Sequence, residues 1–246
     1  MALKASPQEQ ARLLELQAID TRVRQLDHRA KSIPEFATLA DFESDTAGLR
    51  RELGDLNGAL EDANRDLGRI VSDVEVVEAR VKRDTERLQT SSSVKDVAGL
   101  ESELAGLTRR QGELEDLELE VMERVEQLES SLRVVAERNA QLQATIAGVE
   151  AVRDATLGEI AVERSGLIAD RVTIALGVSA ELMSLYERQR DRYGLGASLL
   201  QYGTSSASGV KLNEFDMAAI RAAAPDDVVL CPDSSAILVR TADSGL

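Results

Sequence analysis

Eight residues near the middle of the chain, Thr90 to Val97 (Thr-Ser-Ser-Ser-Val-Lys-Asp-Val), separate two long stretches in which apolar residues recur at alternating intervals of three and four. A connection this short between two helices returns the chain antiparallel to itself. The spacing therefore predicts a helical hairpin closed on its own seam. A parallel dimer would leave the turn without purpose and would add the entropy of bringing two chains together.

The first arm opens at Ser6-Pro7-Gln8-Glu9, which carries a cap, a proline suited to the first helical turn and the glutamate of a capping box. Its seam runs through Leu16, Ile19, Val23, Leu26, Ala30 and Ile33, meets Pro34, and resumes at Phe36, Leu39 and Phe42. Proline lacks the amide hydrogen that a helix interior needs, so a kink or restart is expected near residues 33–35. From Leu49 the alternation continues through Leu53, Leu56, Leu60, Ala63, Leu67, Ile70, Val74, Val77 and Val81 to Leu88.

After the turn at residues 90–96, Ser93 caps a second arm with a seam of Val97, Leu100, Leu104, Leu107, Gln111, Leu114, Leu117 and Val121. It goes on through Val125, Leu128, Leu132, Val135, Asn139, Leu142, Ile146 and Val149, and Gly177 offers the stop. The arms match in length, each near 125 Å at ~1.5 Å per residue. The fold class that follows is mainly α, with residues 6–178 as the hairpin and residues 179–246 as a connecting helix and a small α+β module. Composition agrees: charged residues make up 30%, while 2% aromatic content without tryptophan is too little for one large globular core.

Beyond the hairpin, Ser179 caps a helix from Ala180 to about Arg192, and the Tyr193-Gly194-Leu195-Gly196 run ends it. Short strands are expected at residues 199–202, 210–212, 228–231 and 236–239, with a helix from Glu214 to Ala223 capped by Asn213. The module's apolar residues make a marginal core for so short a segment. It is expected to pack on the Tyr186 helix or on another copy.

Charge narrows the partners. Lys plus Arg is 29 against 44 for Asp plus Glu, a net of -15, which disfavours non-specific attraction to nucleic acid or anionic lipid and suits a basic protein. Glu113, Glu115, Asp116 and Glu118 begin an acidic band that continues through Glu120, Glu123, Glu126 and Glu129, diluted only by Arg124, and they are the candidate client-binding residues. A solvated helix face is the plainer account of that band. Arg188, Arg190 and Arg192 are candidate contacts to phosphate, although their alternate spacing spreads them around a helix. His28, the single histidine, has no ligand partner in sequence, and a loop of solvated carboxylates is the plainer account of Asp226, Asp227 and Asp233.

No phosphate-binding glycine loop, nucleophile-and-base pairing or metal quartet is present, so neither catalysis nor a cofactor is expected. A single cysteine, no apolar leader and no run of ~18 apolar residues give the expectation of a cytoplasmic protein without membrane contact, monomeric or weakly dimeric.

The capped start, the Ile33-Pro34 break, Val97-Ala98-Gly99-Leu100-Glu101-Ser102-Glu103-Leu104 after the turn, Leu182-Met183-Ser184-Leu185-Tyr186-Glu187-Arg188 and the ending Val228-Val229-Leu230-Cys231-Pro232-Asp233-Ser234-Ser235-Ala236-Ile237-Leu238-Val239-Arg240 together resemble a bacterial family that joins a coiled-coil hairpin to a four-cysteine zinc ribbon. In that family two Cys-x-x-Cys knuckles hold zinc. Here the matching positions are Ser205, Ser208, Cys231 and Ser234, so the resemblance implies a degenerate ribbon without metal. It also implies an interaction protein, because characterised relatives act as chaperones or adaptors towards flagellar or type III secretion components and an alternative sigma factor, and some are proposed to touch RNA. The function expected first is a non-enzymatic adaptor that uses the hairpin tip, Leu88 to Leu104, and the acidic band to hold a basic protein client; a nucleic-acid-binding regulator acting through the ribbon-like module and a self-associating architectural rod are the alternatives.

Overall fold

The computed structural model describes residues 3–246. Helix α1 spans Pro7–Lys31, α2 Pro34–Thr90, α3 Val94–Ala175 and α4 Ala180–Tyr193; strands β1 (Ala197–Gln201) and β2 (Thr204–Ser205), helix α5 (Glu214–Ala222) and strand β3 (Ile237–Val239) follow. The Ser6 capping box forms, with the Glu9 amide donating to Ser6 Oγ at 3.3 Å and the Ser6 amide donating to the Glu9 carboxylate at 3.0 Å. The first arm restarts at Pro34, whose ring disfavours helical backbone at Ile33. At the far end Ser91–Ser93 make the turn, and Ser93 starts α3 by accepting from the Asp96 amide at 3.4 Å.

Residues Glu35–Ala151 form one compact unit, the antiparallel pairing of α2 with the first part of α3. Leu49, Ala63, Leu100, Leu114 and Val135 are buried on its seam. Arg80 pairs with Glu103, and Arg138 reaches Glu52 at 3.7 Å, which fixes the two arms as antiparallel. Two seam assignments are corrected: Phe36, three residues before Leu39, is 42% exposed with Glu35 half-buried in its place, and Leu117 is 42% exposed with Glu118 half-buried in its place. After Gln111 and Leu114 the alternation requires a step of four, and two successive steps of three would carry the stripe off the contact line whatever the residue there. Asp84, between Val81 and Leu88, is a second acid on the seam and is 5% exposed.

The other unit joins the chain up to Pro34 with Val152–Leu246. Here α1 runs antiparallel to the end of α3, with Arg171 donating to Asp20 at 2.7 Å and Arg164 to Asp27 at 2.8 Å. Leu13 and Leu16 of α1, Leu182 and Tyr186 of α4, and Ala197, Ile237 and Val239 of the sheet share one apolar cluster. The module thus packs on the Tyr186 helix and also on α1, so that its small core is completed by helices from both ends of the sequence.

The sheet order is β2-β1-β3, with β1 antiparallel to β2 and parallel to β3. A parallel neighbour needs a crossover. The segment carrying α5 provides it and covers Leu200, Leu212, Met217, Ile220, Cys231 and Leu238. Residues 210–212 and 228–231 do not form the expected strands: Lys211 and Leu230 make single bridges, to Thr204 and Ile237, and β2 forms where no strand was expected. The edge of Val228 is taken instead by the start of the chain, its amide donating to the Leu3 carbonyl at 2.9 Å while the Ala5 amide donates to Asp226 at 2.8 Å. Arg240 donates to the carbonyls of Ala223 at 3.0 Å, Ala224 at 2.7 Å and Asp227 at 2.7 Å, satisfying the end of α5. No described helix is long and apolar enough to cross a membrane.

Candidate functional site

Two arrangements in the molecule concentrate charge, one sealed and one open. The sealed one lies where α1, α3 and α4 meet. Asp20 is 8% exposed and accepts from Arg171 Nε at 2.7 Å and Nη2 at 3.2 Å, from the Tyr186 hydroxyl at 2.7 Å and from Arg190 Nη1 at 3.2 Å. Glu187 accepts from Arg171 at 2.6 Å and pairs with Arg190 at 2.8 Å, so two acids and two guanidiniums close a network. Burial pushes the Asp20 carboxyl up, but the hydrogen bonds from Arg171 and Tyr186 and the Arg171 charge outweigh it and hold the group below the usual carboxylate range. Burial, and then the bond to Asp20, raise the Tyr186 phenol, which stays protonated as a donor. Next to this network Gln17 accepts from the amides of Gly196 at 2.7 Å and Ala197 at 3.3 Å. A Cβ at Gly196 would lie 2.5 Å from the Tyr186 ring, so only glycine lets β1 approach α4 this closely.

Each charged group of this network has its partner within it. It is a clamp that orients the helices, and it absorbs one of the sequence candidates: Arg190 is turned into it. Arg188 is exposed, and Arg192 lies over the Tyr193 ring at 5.2 Å, so the three arginines do not converge on one surface.

The open arrangement belongs to the Glu35–Ala151 unit. Arg80, Glu103, Glu52 and Arg138, which make the inter-arm ion pairs, each stand immediately before a seam residue (Val81, Leu104, Leu53 and Asn139). In an antiparallel pair, positions with the same offset from the seam share one edge of the hairpin. The other edge carries residues that immediately follow a seam residue, among them Val71 after Ile70 and Met122 after Val121. There Val71 is 38% exposed and Met122 43%, while Leu119, one turn before Met122, is 61% exposed.

The acidic band surrounds these residues. Glu113 pairs with Arg110 at 3.3 Å and Glu115 accepts from Gln111 at 2.9 Å, whereas Glu118 is withdrawn into the seam. Among the described residues Asp116, Glu120, Glu123, Glu126 and Glu129 have no hydrogen-bonding or ion-pair partner. The band as read from sequence is therefore divided, with Asp116 and the later glutamates presenting free charge.

The four residues that the sequence resemblance matched to zinc-ligand positions, Ser205, Ser208, Cys231 and Ser234, are brought partly together. Cys231 is buried with its Sγ 3.4 Å from Ser205 Oγ, and Ser205 Oγ lies 2.8 Å from Ser198 Oγ. Two loops repeat one geometry: the Gly209 amide donates to the Ser205 carbonyl at 2.8 Å and the Ser235 amide to the Cys231 carbonyl at 2.9 Å, with Gly209 and Ser235 both in left-handed backbone. Ser208 and Ser234 sit within these loops, their hydroxyls accepting from Val210 and Ala236 amides at 3.3 and 3.4 Å. A structural zinc needs soft anionic donors, and three hydroxyls with one thiol do not fit it.

His28 is exposed on α1. Asp226 and Asp227 pair with Lys4 at 2.9 and 3.5 Å.

A family model described as the CT398-like coiled coil hairpin domain matches residues 16–194. The chain belongs to this family. Within the CT398-like hairpins, it is 34% identical over 239 residues to the uncharacterized proteins Rv2229c and MT2288 of two Mycobacterium tuberculosis strains, covering 97% of its own length and 98% of theirs. It is similar to a solved structure from Mycobacterium smegmatis at 33% identity and a TM-score of 0.85, over 97% of this chain and 100% of that one. CT398 from Chlamydia trachomatis shares the fold at 16% identity and a TM-score of 0.65, over 95% of this chain and 98% of that one.

The CT398-like match covers α4 as well as the arms, and α4 supplies half of the sealed clamp. The sequence reading missed Asp20, Gln17 and Asp84. One signal was available: a polar residue one step off or squarely on a seam position, in an arm that is otherwise regular, has to find a partner or remain unsatisfied.

Proposed function

We propose that this protein is a non-enzymatic adaptor, chaperone-like in action, that holds a basic protein client against the acidic face of α3. The observation that supports this reading best is that Asp116, Glu120, Glu123, Glu126 and Glu129 are exposed and lack internal counter-charge, in a chain of net charge -15. Like charges three and four residues apart destabilise a helix by roughly 0.2–0.5 kcal/mol per pair. A cationic client relieves that repulsion and is steered towards the face.

In this reading the C-terminal module is a ribbon-like domain held by packing rather than by metal. What supports this is the backbone hydrogen bond repeated in the two loops, with the Ser198 and Ser205 hydroxyls and the Cys231 thiol buried beside them.

The test is a pull-down with the full chain at about 0.15 M salt, where exposed charges more than ~8 Å apart are screened. Clients recovered by the parent protein are expected to be lost when Glu115, Asp116, Glu123 and Glu126 are changed together to Lys. Full retention of every client would remove the reading.

A further inference from the structure

The two edges of the Glu35–Ala151 hairpin are built differently. One edge is closed by the Arg80–Glu103 and Arg138–Glu52 pairs, which span from arm to arm. On the other edge Val71, Leu119 and Met122 stand in solvent, and no inter-arm ion pair crosses it among the described residues. Carrying the register of the two ion pairs to Val71 brings it level with the Gly112 to Leu119 stretch of α3. Val71 and Leu119 therefore lie on the same edge within about two turns of each other, and Met122 follows on the next turn of α3.

Acids frame this edge on both arms. Glu115 and Glu129 precede and follow Met122 by seven residues, and Glu126 lies one turn beyond it on the same flank. On α2 Glu78 follows seam residue Val77 as Val71 follows Ile70, and Glu75 lies one turn beyond Val71. Lys82 on α2 and Arg133 on α3 bound the stretch, and no basic residue falls on this flank between them and the apolar patch.

An apolar row rimmed by carboxylates, parallel to an existing two-helix seam, has the form of a site for a third helix. We propose that the client segment held here is a basic amphipathic helix, which lays its apolar face on Val71, Leu119 and Met122 and its Lys or Arg residues against Glu75, Glu78, Glu115, Glu126 and Glu129. This rests on the adaptor reading and narrows it: charge alone would hold any basic chain, whereas the apolar row selects one whose apolar residues recur at helical spacing. The stretch from Glu115 to Glu129 is about 21 Å long at ~1.5 Å per residue, so a client helix of four turns covers it. A second copy of this chain is a poor occupant, because its own arms carry the same excess of acid.

The experiment uses the full chain and two fluorescein-labelled peptides of identical Leu and Lys composition, one with Leu at heptad seam positions and one shuffled to remove the amphipathic stripe. Fluorescence anisotropy at about 0.15 M salt is expected to give at least tenfold tighter binding for the amphipathic peptide. In the Leu119→Asn/Met122→Asn variant, whose changes are on exposed positions, that preference disappears while the weaker binding common to both peptides persists. Val76→Asn, a similarly exposed change on the closed edge at 65% exposure, leaves the preference intact. Equal affinity for the two peptides, a preference that survives the double variant, or one that Val76→Asn also abolishes would each overturn the helix proposal. The adaptor reading fails separately, if neither peptide binds or if Glu115→Lys/Glu126→Lys/Glu129→Lys leaves both affinities unchanged.

Discussion

Replacing Asp20 by alanine tests whether the clamp holds α1 and α4 to the end of α3. The substitution removes the acceptor of four hydrogen bonds, three of them from guanidinium groups, and leaves Arg171 and Arg190 facing a gap. Breaking a buried ion pair from one side costs about 3–5 kcal/mol. The lower end applies here, because the Arg171 and Arg190 side chains are 20% and 30% exposed and both keep Glu187. Tyr186→Phe removes a single bond and leaves Asp20 with its arginines, so it should cost about 1.5 kcal/mol. Tyr186, Tyr193 and Tyr202 all lie in the unit containing the clamp and the chain has no tryptophan, so tyrosine fluorescence reports on that unit specifically. With a urea dependence near 2 kcal/mol per molar, Asp20→Ala should lower the tyrosine-detected midpoint by about 1.5 M. A loss below about 0.5 M, or a larger loss from Tyr186→Phe than from Asp20→Ala, would refute the clamp as the principal tie.

Other consequences can be measured on the same protein. Because the folded-state Asp20 carboxyl is held below its ordinary value of about 3.9, its stabilisation is complete above that pH and is lost as pH falls through the lower folded-state value; the stability gap between the parent and Asp20→Asn should close on acidification and stay constant from pH 6 to 8. Asp84, buried on the seam with Oδ2 lacking a hydrogen bond and the nearest Arg87 nitrogen 3.5 Å from Oδ1, should stabilise the arms by roughly 1–3 kcal/mol when changed to Leu, read as a higher midpoint in a helical-signal melt; a lower midpoint would mean that Arg80 and Arg87 outweigh its desolvation. Metal analysis should find zinc in the Ser205→Cys/Ser208→Cys/Ser234→Cys variant, held by four thiolates on the two repeated loops, and should find none in the parent; a zinc-free variant would refute the ribbon reading.

The hairpin was legible because helix periodicity is local. Alternating steps of three and four, a proline that cannot donate, and three serines between two seams determine where helices run, break and turn before any tertiary contact is made. Even the error at Leu117 was correctable from the chain, since phase outranks residue type once neighbouring positions are set. The acidic band was equally visible as composition.

Folding decided what each charge does. Glu113 is paired and Glu118 lies in the seam while Asp116 is free, and Arg190 is enclosed by Asp20 from a helix 170 residues away in sequence while Arg188 stays in solvent. The short strands were misjudged for a related reason: a two- or three-residue strand has almost no periodicity of its own, and its pairing depends on which edge comes within reach. Val228 meets Leu3 because α1 is packed under the sheet, a contact that no local pattern encodes. Helical propensity and the width of an apolar stripe are properties of neighbouring residues, whereas a buried ion pair and an edge bridge exist only after distant segments have met.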